Sequence, residues 1–188
     1  MNKINKTSGF TILELMIVIA IAGILVAVGI PSFRNLVKDN CLTTGTNLLV
    51  SSFQQARSEA VKRSTTLTIT ASNAGGANEW GNGWTVTINE DSNNDGDLDT
   101  GEDFDGNGLL GDGKTYSEAI FRIVTLSCTG TTMDETGNDT VFVYESDGFI
   151  DAAGTFDVCD DRTGETGKQI TINAVGRPNT DTRYAGCS

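Results

Sequence analysis

The chain has 188 residues, of which 25 are acidic, 13 are basic and none is histidine, and its formal net charge is −12. A surface of this charge repels phosphate backbones, which argues against nucleic-acid binding. Without histidine the chain lacks the commonest general base and the commonest nitrogen ligand of metals, and it carries no nucleophile motif or phosphate loop, so the sequence does not indicate an enzyme.

The first predicted element is an apolar segment at residues 10–30, which follows a short polar leader at residues 1–9. Twenty-one residues that each rise about 1.5 Å in a helix extend about 30 Å, the thickness of the hydrocarbon core of a bilayer. The segment therefore predicts a transmembrane helix. The alternative is a secretory signal peptide cut after Ala27-Val28-Gly29, which would leave Ile30 as the first residue.

Glu14 favours the transmembrane helix over the signal peptide. A carboxylate inside an apolar helix costs about 2–3 kcal/mol on membrane insertion, and a discarded signal peptide has no use for it. Cleavage between Gly9 and Phe10 would create an α-amino group four residues before Glu14. In a helical filament, that amine of an incoming subunit could pair with Glu14 of a neighbour and fix the axial register, which is the best-attested role of buried polar groups.

The residues around this point resemble a known processing signal. Residues 9–16 read GFTILELM, which is similar to the cleavage and methylation motif of type IV prepilins. The resemblance implies that a prepilin peptidase cuts after Gly9 and N-methylates Phe10, and that Glu14 has the assembly role argued above. Pro31 matches the proline that kinks pilin helices, because proline lacks an N–H group and its ring clashes with the preceding turn.

After Pro31 the helix is predicted to continue to residue 64 as an amphipathic segment. Apolar or small residues recur there at helical spacing, namely Phe33, Val37, Cys41, Leu48, Leu49, Phe53, Ala56 and Ala60. Beyond residue 64 the pattern changes to short alternating segments split by Gly, Asn and Asp clusters, which is typical of β-strands. The predicted strands are 66–71, 84–88, 120–126, 141–144, 155–159 and 169–175.

This order of elements predicts an α+β fold, in which one long N-terminal helix packs on an antiparallel β-sheet domain. The expected organisation is a leader at 1–9, a transmembrane helix at 10–30, an amphipathic continuation at 31–64 and a β-rich globular domain at 65–188. Basic residues before and after the span balance, so charge does not set the orientation. Export of the large cysteine-containing part indicates a single pass through the inner membrane, with the C-terminal domain in the periplasm.

Four cysteines follow the predicted span, and their spacing fits no metal site, so we expect disulfides in an oxidising compartment rather than a zinc site. They are Cys41, Cys128, Cys159 and Cys187. The favoured pair is Cys159–Cys187, which would tie the C-terminal tail to a strand, and Cys41–Cys128 then follows by elimination. Cys41 lies on the apolar stripe and is alternatively a buried free thiol.

An acidic segment at residues 91–102, DSNNDGDLDTGE, matches the D-x-[DN]-x-[DN]-G-x₅-E pattern of calcium-binding loops. Side chains at alternate positions of such a loop converge on the cation, and a final glutamate closes its shell. The expected calcium ligands are Asp91, Asn93, Asp95, Asp97 and Glu102. The alternative is an acidic turn without a metal, because Asp, Asn and Gly also favour tight turns. The sequence indicates no other cofactor.

Three further stretches resemble the GspH/FimT family of minor pilins and pseudopilins. They are residues 40–64, the Gly83-Trp84 pair with the acidic loop after it, and the segments at 159–162 and 170–178. The resemblance implies a structural minor subunit of a type II secretion pseudopilus or a type IV pilus, which helps to initiate or cap the filament in protein secretion. Its implied partners are the other pilins or pseudopilins of that filament and the prepilin peptidase.

The alternative within the same resemblance is a type IV pilus tip subunit that acts in adhesion or DNA uptake. DNA-binding relatives carry a basic region around a Gly-Arg motif. In this chain Gly176-Arg177 is followed by Pro178 and Asn179, and only Arg183 lies nearby in the sequence. Together with the acidic net charge, this favours a structural role over DNA binding.

Overall fold

The computed structural model describes residues 10–73, 75, 78–91, 97, 102–104, 106, 118–162 and 167–187. The chain divides into two compact units, Met1–Asp39 and Asn40–Ser188, and one helix, α1 (Ile12–Arg63), contributes to both. Eight strands follow α1 in the described part of the chain: β1 Leu67–Ala71, β2 Gly83–Asn89, β3 Glu118–Thr125, β4 Thr131–Glu135, β5 Val141–Tyr144, β6 Gly154–Asp160, β7 Gly167–Ile172 and β8 Pro178–Tyr184.

Helix α1 begins with a capped first turn. The Thr11 hydroxyl oxygen accepts a hydrogen bond from the N–H of Glu14 at 3.2 Å, and the Thr11 carbonyl accepts the first helical bond, from the N–H of Leu15, at 3.1 Å. A threonine followed three residues later by a glutamate is the spacing of a capping box, which satisfies donors that a helix start otherwise leaves free. The helix start is therefore encoded by Thr11 and Glu14.

In the second unit, α1 buries one side against the strands. The buried residues recur every three or four positions, as an amphipathic helix requires: Leu42, Gly45, Thr46, Leu49, Ser52, Phe53, Ala56 and Ala60. The predicted stripe is right from Leu49 onward but wrong at Phe33 and Val37, which are exposed. Both belong to the first unit, whose described part is this helix and has no strand to cover them.

The described strands form two four-stranded antiparallel sheets, in the orders β3-β2-β1-β5 and β4-β6-β7-β8. In the first sheet the central strand β1 pairs on both sides, so that Leu67 lies opposite Ile88 and Tyr144. The α+β fold is as the sequence predicts, but the strands divide between two sheets, and β4 and β8 are additional. Strand β7 also ends at Ile172 rather than at residue 175, because residues 173–176 form a turn.

The additional strands lack the pattern on which the prediction depends. Strand β4 reads TTMDE, with Met133 as its one apolar residue, and β8 begins with a proline and continues NTDTRY. Neither alternates apolar with polar residues, and proline is confined to edge or first positions of strands. Strand β8 is an edge strand that begins with Pro178. The pairing partners, not the local sequence, determine these two strands.

Phe53 of α1 lies at the centre of the hydrophobic core. Its ring contacts those of Trp80, Phe142, Tyr144 and Phe156, at centroid separations of 5.6–6.4 Å. Phe142 belongs to β5 and Phe156 to β6, so Phe53 joins both sheets to the helix. Aromatic pairs in these tilted and edge-on arrangements contribute about 0.5–1.5 kcal/mol each beyond their buried area.

Two disulfides tie the second unit together. Cys41 of α1 is bonded to Cys128, which lies between β3 and β4, and Cys159 of β6 is bonded to Cys187 after β8, with Cα separations of 5.8 and 5.5 Å. These are the two pairs that the sequence favours, and Cys41 is not a free thiol. The first bond joins cysteines that are 87 residues apart in the sequence, and the loop that it closes removes much of the conformational freedom of the unfolded chain.

A buried carboxylate holds the turn that follows β4. One Glu135 oxygen accepts hydrogen bonds from the N–H groups of Gly137 at 2.6 Å and Asp139 at 3.0 Å, and the other accepts from the N–H of Thr155 at 2.9 Å. Glu135 is buried, and these three backbone donors satisfy its two carboxylate oxygens. The side chain joins the turn to strand β6.

We expect Glu135→Ala to lower the free energy of unfolding by about 3 kcal/mol or more, because three backbone donors would lose a charged acceptor. Urea unfolding of the full chain in neutral detergent, followed by the fluorescence of the buried Trp80 and Trp84, measures this. Glu145→Ala removes an exposed carboxylate of the same unit and should change the value by less than about 0.5 kcal/mol. Equal effects of the two substitutions would show that Glu135 does not hold the turn.

Candidate functional site

The first unit presents an apolar helix surface that no described residue of the unit covers. Every residue from 10 to 37 is exposed, including Ile12 at 81 %, Leu13 at 69 % and Leu25 at 67 %. The described part of the chain holds one helix, α1, that is long and apolar enough to cross a membrane. A continuous apolar surface of this length does not remain in water, so it requires lipid or the helices of other chains around it.

Glu14 is the one acidic residue in this apolar surface, and it lies in the first turn of α1. The N-terminal end of a helix carries a partial positive charge, which stabilises a carboxylate there by about 0.3–1 kcal/mol. Its side chain is exposed, so it is open to a charged group of another chain. Phe10 is also exposed, at 74 %, and Gly9 lies outside the described residues.

The sequence reasoning missed the role of Thr11. It treats residues 9–16 as a processing motif and assigns nothing to the threonine, although the Thr11–Glu14 spacing is itself a recognisable helix-start signal. In the structure the backbone of Glu14 is bonded to Thr11 Oγ1. Thr11 therefore fixes the start of the helix just before the acidic residue, while leaving the carboxylate exposed.

The predicted calcium loop is described only in part. Asn93 and Asp95 lie outside the described residues, while Asp91 and Glu102 are buried and Asp97 is exposed. Next to the loop, buried Glu90 accepts a hydrogen bond from the N–H of Phe104 at 3.1 Å. Among the described residues no three His, Cys, Asp or Glu side chains converge as a metal site. Calcium binding stays a prediction.

The structure also brings together two arginines that lie far apart in the sequence. Arg57 of α1 and Arg177 after the β7–β8 turn line one surface groove of the second unit. No sequence signal links them, because their proximity depends on the packing of the helix against the second sheet. In the sequence, Gly176 and Arg177 belong to the stretch at 170–178 that resembles the family, and only Arg183 is a further basic residue nearby.

Two family models match the chain. One, described as type II transport protein GspH, matches residues 45–176, and the other, described as the prokaryotic N-terminal methylation motif, matches residues 4–30. The first covers most of the second unit, and the second covers the residues predicted for cleavage, methylation and assembly. No curated protein matches the sequence significantly.

Two crystal structures of the type IV minor pilin FimU from Pseudomonas aeruginosa have a similar fold. One, in space group P21, has a TM-score of 0.55 and 20% identity and covers 78% of this chain and 92% of FimU. The other, in space group P65, has a TM-score of 0.51 and 20% identity and covers 74% of this chain and 91% of FimU. At this identity the likeness shows a shared fold.

The acidic loop generates a prediction for the full chain in neutral detergent. Millimolar calcium should raise the melting temperature relative to chelator, because so many carboxylates within twelve residues repel one another unless a cation lies among them. Asp95→Ala with Glu102→Ala should abolish the rise, whereas Glu145→Ala should preserve it. Identical wild-type melting curves in calcium and in chelator would identify the segment as an acidic turn.

Proposed function

We propose that this chain, which belongs to the GspH family of minor pilins and pseudopilins, is anchored in the inner membrane by residues 10–30. A prepilin peptidase cuts the chain after Gly9, and the chain then assembles into a filament through its N-terminal helix. Its partners are the other pilins or pseudopilins of a type II secretion pseudopilus or a type IV pilus. Its role is structural, without catalysis, and it helps to initiate or cap the filament in protein secretion.

The observation that carries this proposal is the exposed apolar helix with a single carboxylate in its first turn. Before assembly, lipid surrounds the helix, and Glu14 costs about 2–3 kcal/mol there. In the filament, the helices of other subunits replace lipid, and an α-amino group of one subunit offsets that cost by pairing with the carboxylate of another. The carboxylate thus favours the assembled state in one axial register.

The cleavage site supplies the other member of this pair. Removal of residues 1–9 turns the amide nitrogen of Phe10 into an amine, four residues before Glu14. It also removes Lys3 and Lys6, so that the processed chain is more acidic than the precursor. Glu14 is the one charged side chain of the apolar segment that begins with this positive terminus. The terminus can therefore pair with Glu14 of its own chain or of a neighbouring chain.

The two disulfides support the proposed orientation. Both lie in the unit Asn40–Ser188, and disulfides persist in the periplasm but are rare in the cytosol. We therefore propose that the second unit lies in the periplasm and the leader in the cytoplasm. No described feature favours the alternative of a tip subunit for adhesion or DNA uptake over the structural role, and the net charge of −12 opposes DNA.

Processing can be tested by changing the residue before the cut. Gly9→Leu should leave the leader attached, because the peptidase must accept a residue without a side chain there, and mass spectrometry of membrane extracts should show the uncut mass. The wild-type chain should begin with N-methyl-Phe10. Gly23→Leu is the matched control, since Gly23 lies within the apolar segment, away from the cut, with open space around it, and the variant should be processed normally. A first residue of Ile30 would instead show a signal peptide.

Assembly can be tested at Glu14. Glu14→Ala should insert into the membrane as well as the wild type or better, because a carboxylate leaves the apolar phase, but it should enter the sheared filament fraction about tenfold less. Glu14→Gln should fail in the same way, since the isosteric amide lacks the charge, whereas Glu14→Asp should retain part of the incorporation. Wild-type amounts of Glu14→Ala in filaments would contradict the register pair.

A further inference from the structure

A groove of about 750 Å³ lies on the second unit, between α1 and the turn that joins β7 to β8. The helix contributes Gln54, Arg57, Ser58 and Val61 to its lining, and the turn contributes residues 176–178. The lining therefore combines two guanidinium groups with an amide, a hydroxyl and two apolar side chains. Nothing in the proposed anchoring or processing uses this surface.

Arg57 is held at the groove by the turn after β5. Its Nε–H donates a hydrogen bond to the carbonyl of Gly148 at 2.9 Å, which leaves the two terminal amino groups of the guanidinium for another acceptor. Gly148 has a φ of +81°, and a Cβ there would clash with Val61, so the close approach of this turn to the helix requires glycine. The position of Arg57 is thus fixed by the backbone.

Arg177 is presented by a rigid turn. The Asn173 side-chain oxygen accepts hydrogen bonds from the N–H groups of Val175 at 3.2 Å and Arg177 at 2.8 Å. The Tyr144 hydroxyl donates to the Gly176 carbonyl at 2.6 Å, and burial raises the pKa of Tyr144 far above its usual range, so this donor stays protonated. The Arg177 guanidinium itself is exposed and makes no hydrogen bond or ion pair with a described residue.

Other cationic side chains of this unit form ion pairs within the chain. Lys62 and Arg63 pair with Glu59, whose pKa is lowered chiefly by its hydrogen bond with Arg63, and Arg162 pairs with Asp160. Neither groove arginine forms an ion pair with a described carboxylate. In a chain of net charge −12, two guanidinium groups without such a partner form a local site of opposite sign.

From this geometry we propose that the groove binds the carboxylates of an acidic peptide segment presented by another subunit of the filament. Guanidinium groups bind carboxylates in a bidentate, charge-assisted manner, so Arg57 and Arg177 would each hold one oxygen pair. Val61 and Pro178 offer apolar contact to side chains between the acidic residues. The identity of the partner rests on the proposed function, but the chemistry of the groove does not.

A peptide fits this groove better than a free anion or a nucleic acid. The volume is well above that of a single carboxylate or phosphate and lies in the range of sites that enclose larger ligands. The turn that holds Arg57 also carries Glu145 and Asp147, which would repel a chain of phosphates passing over the groove. A segment with one or two carboxylates among apolar residues avoids most of that repulsion.

The test uses the purified full chain in neutral-detergent micelles and a fluorescein-labelled peptide with two glutamates among valines, followed by fluorescence anisotropy. Arg177→Gln should weaken binding about tenfold, because it removes one charge-assisted contact from an exposed side chain that does not support the fold. Arg177→Lys should recover part of the affinity. Arg122→Gln is the control outside the groove and should leave binding unchanged, since Arg122 bonds to Gln55 elsewhere on the helix.

Two probe controls complete the test. The peptide with glutamine in place of glutamate should not bind, and a short double-stranded oligonucleotide should bind more weakly than the acidic peptide. The proposal would be overturned if wild type and Arg177→Gln bound the acidic peptide equally, or if the glutamine peptide bound. If the oligonucleotide bound more tightly than the acidic peptide, and in an Arg177-dependent way, the groove would be a nucleic-acid site instead. This assay needs no filament, so a negative binding result would not contradict the proposed function. Conversely, normal incorporation of Glu14→Ala into filaments would not contradict peptide binding in the groove.

Discussion

The apolar surface of α1 in the first unit must be removed from water, and the rest of the account depends on this requirement. More than a dozen large apolar side chains are exposed between residues 10 and 30. Burying each contributes about 1.5–3 kcal/mol, whereas placing Glu14 in an apolar phase costs about 2–3 kcal/mol. The apolar side chains outweigh the carboxylate many times over, so we expect the helix to insert in spite of Glu14, and in the proposed filament a partner amine would offset the local cost.

The same helix has a different character in the second unit, because its sequence changes from apolar on all sides to apolar on one side. From Leu42 onward the buried face packs on both sheets through Phe53, and the Cys41–Cys128 bond attaches the start of this part to the β3–β4 connection. Buried polar groups of the helix and the strands also pair with each other, as with Trp84, whose indole N–H donates to Ser52 at 2.9 Å. The arginine groove lies on the surface of this packed unit.

The sequence predicted those parts of the structure that depend on local pattern. Trp84, Val86 and Ile88 alternate and form β2, and the helix ends at Arg63, where its periodicity fades. Strand β4 was not predictable in this way, because only Met133 among its residues is apolar and its pairing with β6 places it in the sheet. The sequence also placed the stripe of α1 too early, since periodicity at Phe33 and Val37 does not reveal whether a strand lies against them. The apolar segment with Glu14 was readable as a local motif, whereas Arg57 and Arg177 meet only through tertiary packing.

In the filament that we propose, the helices of other subunits cover the exposed N-terminal helix. The most direct measurement is photo-crosslinking in cells from a benzophenone amino acid at Ile19, which is 61 % exposed on the apolar surface. We expect adducts whose mass spectra identify the N-terminal helix of a neighbouring filament subunit, and these adducts should diminish when Glu14 is replaced by alanine. Adducts with lipid alone in cells that assemble the filament would contradict this proposal.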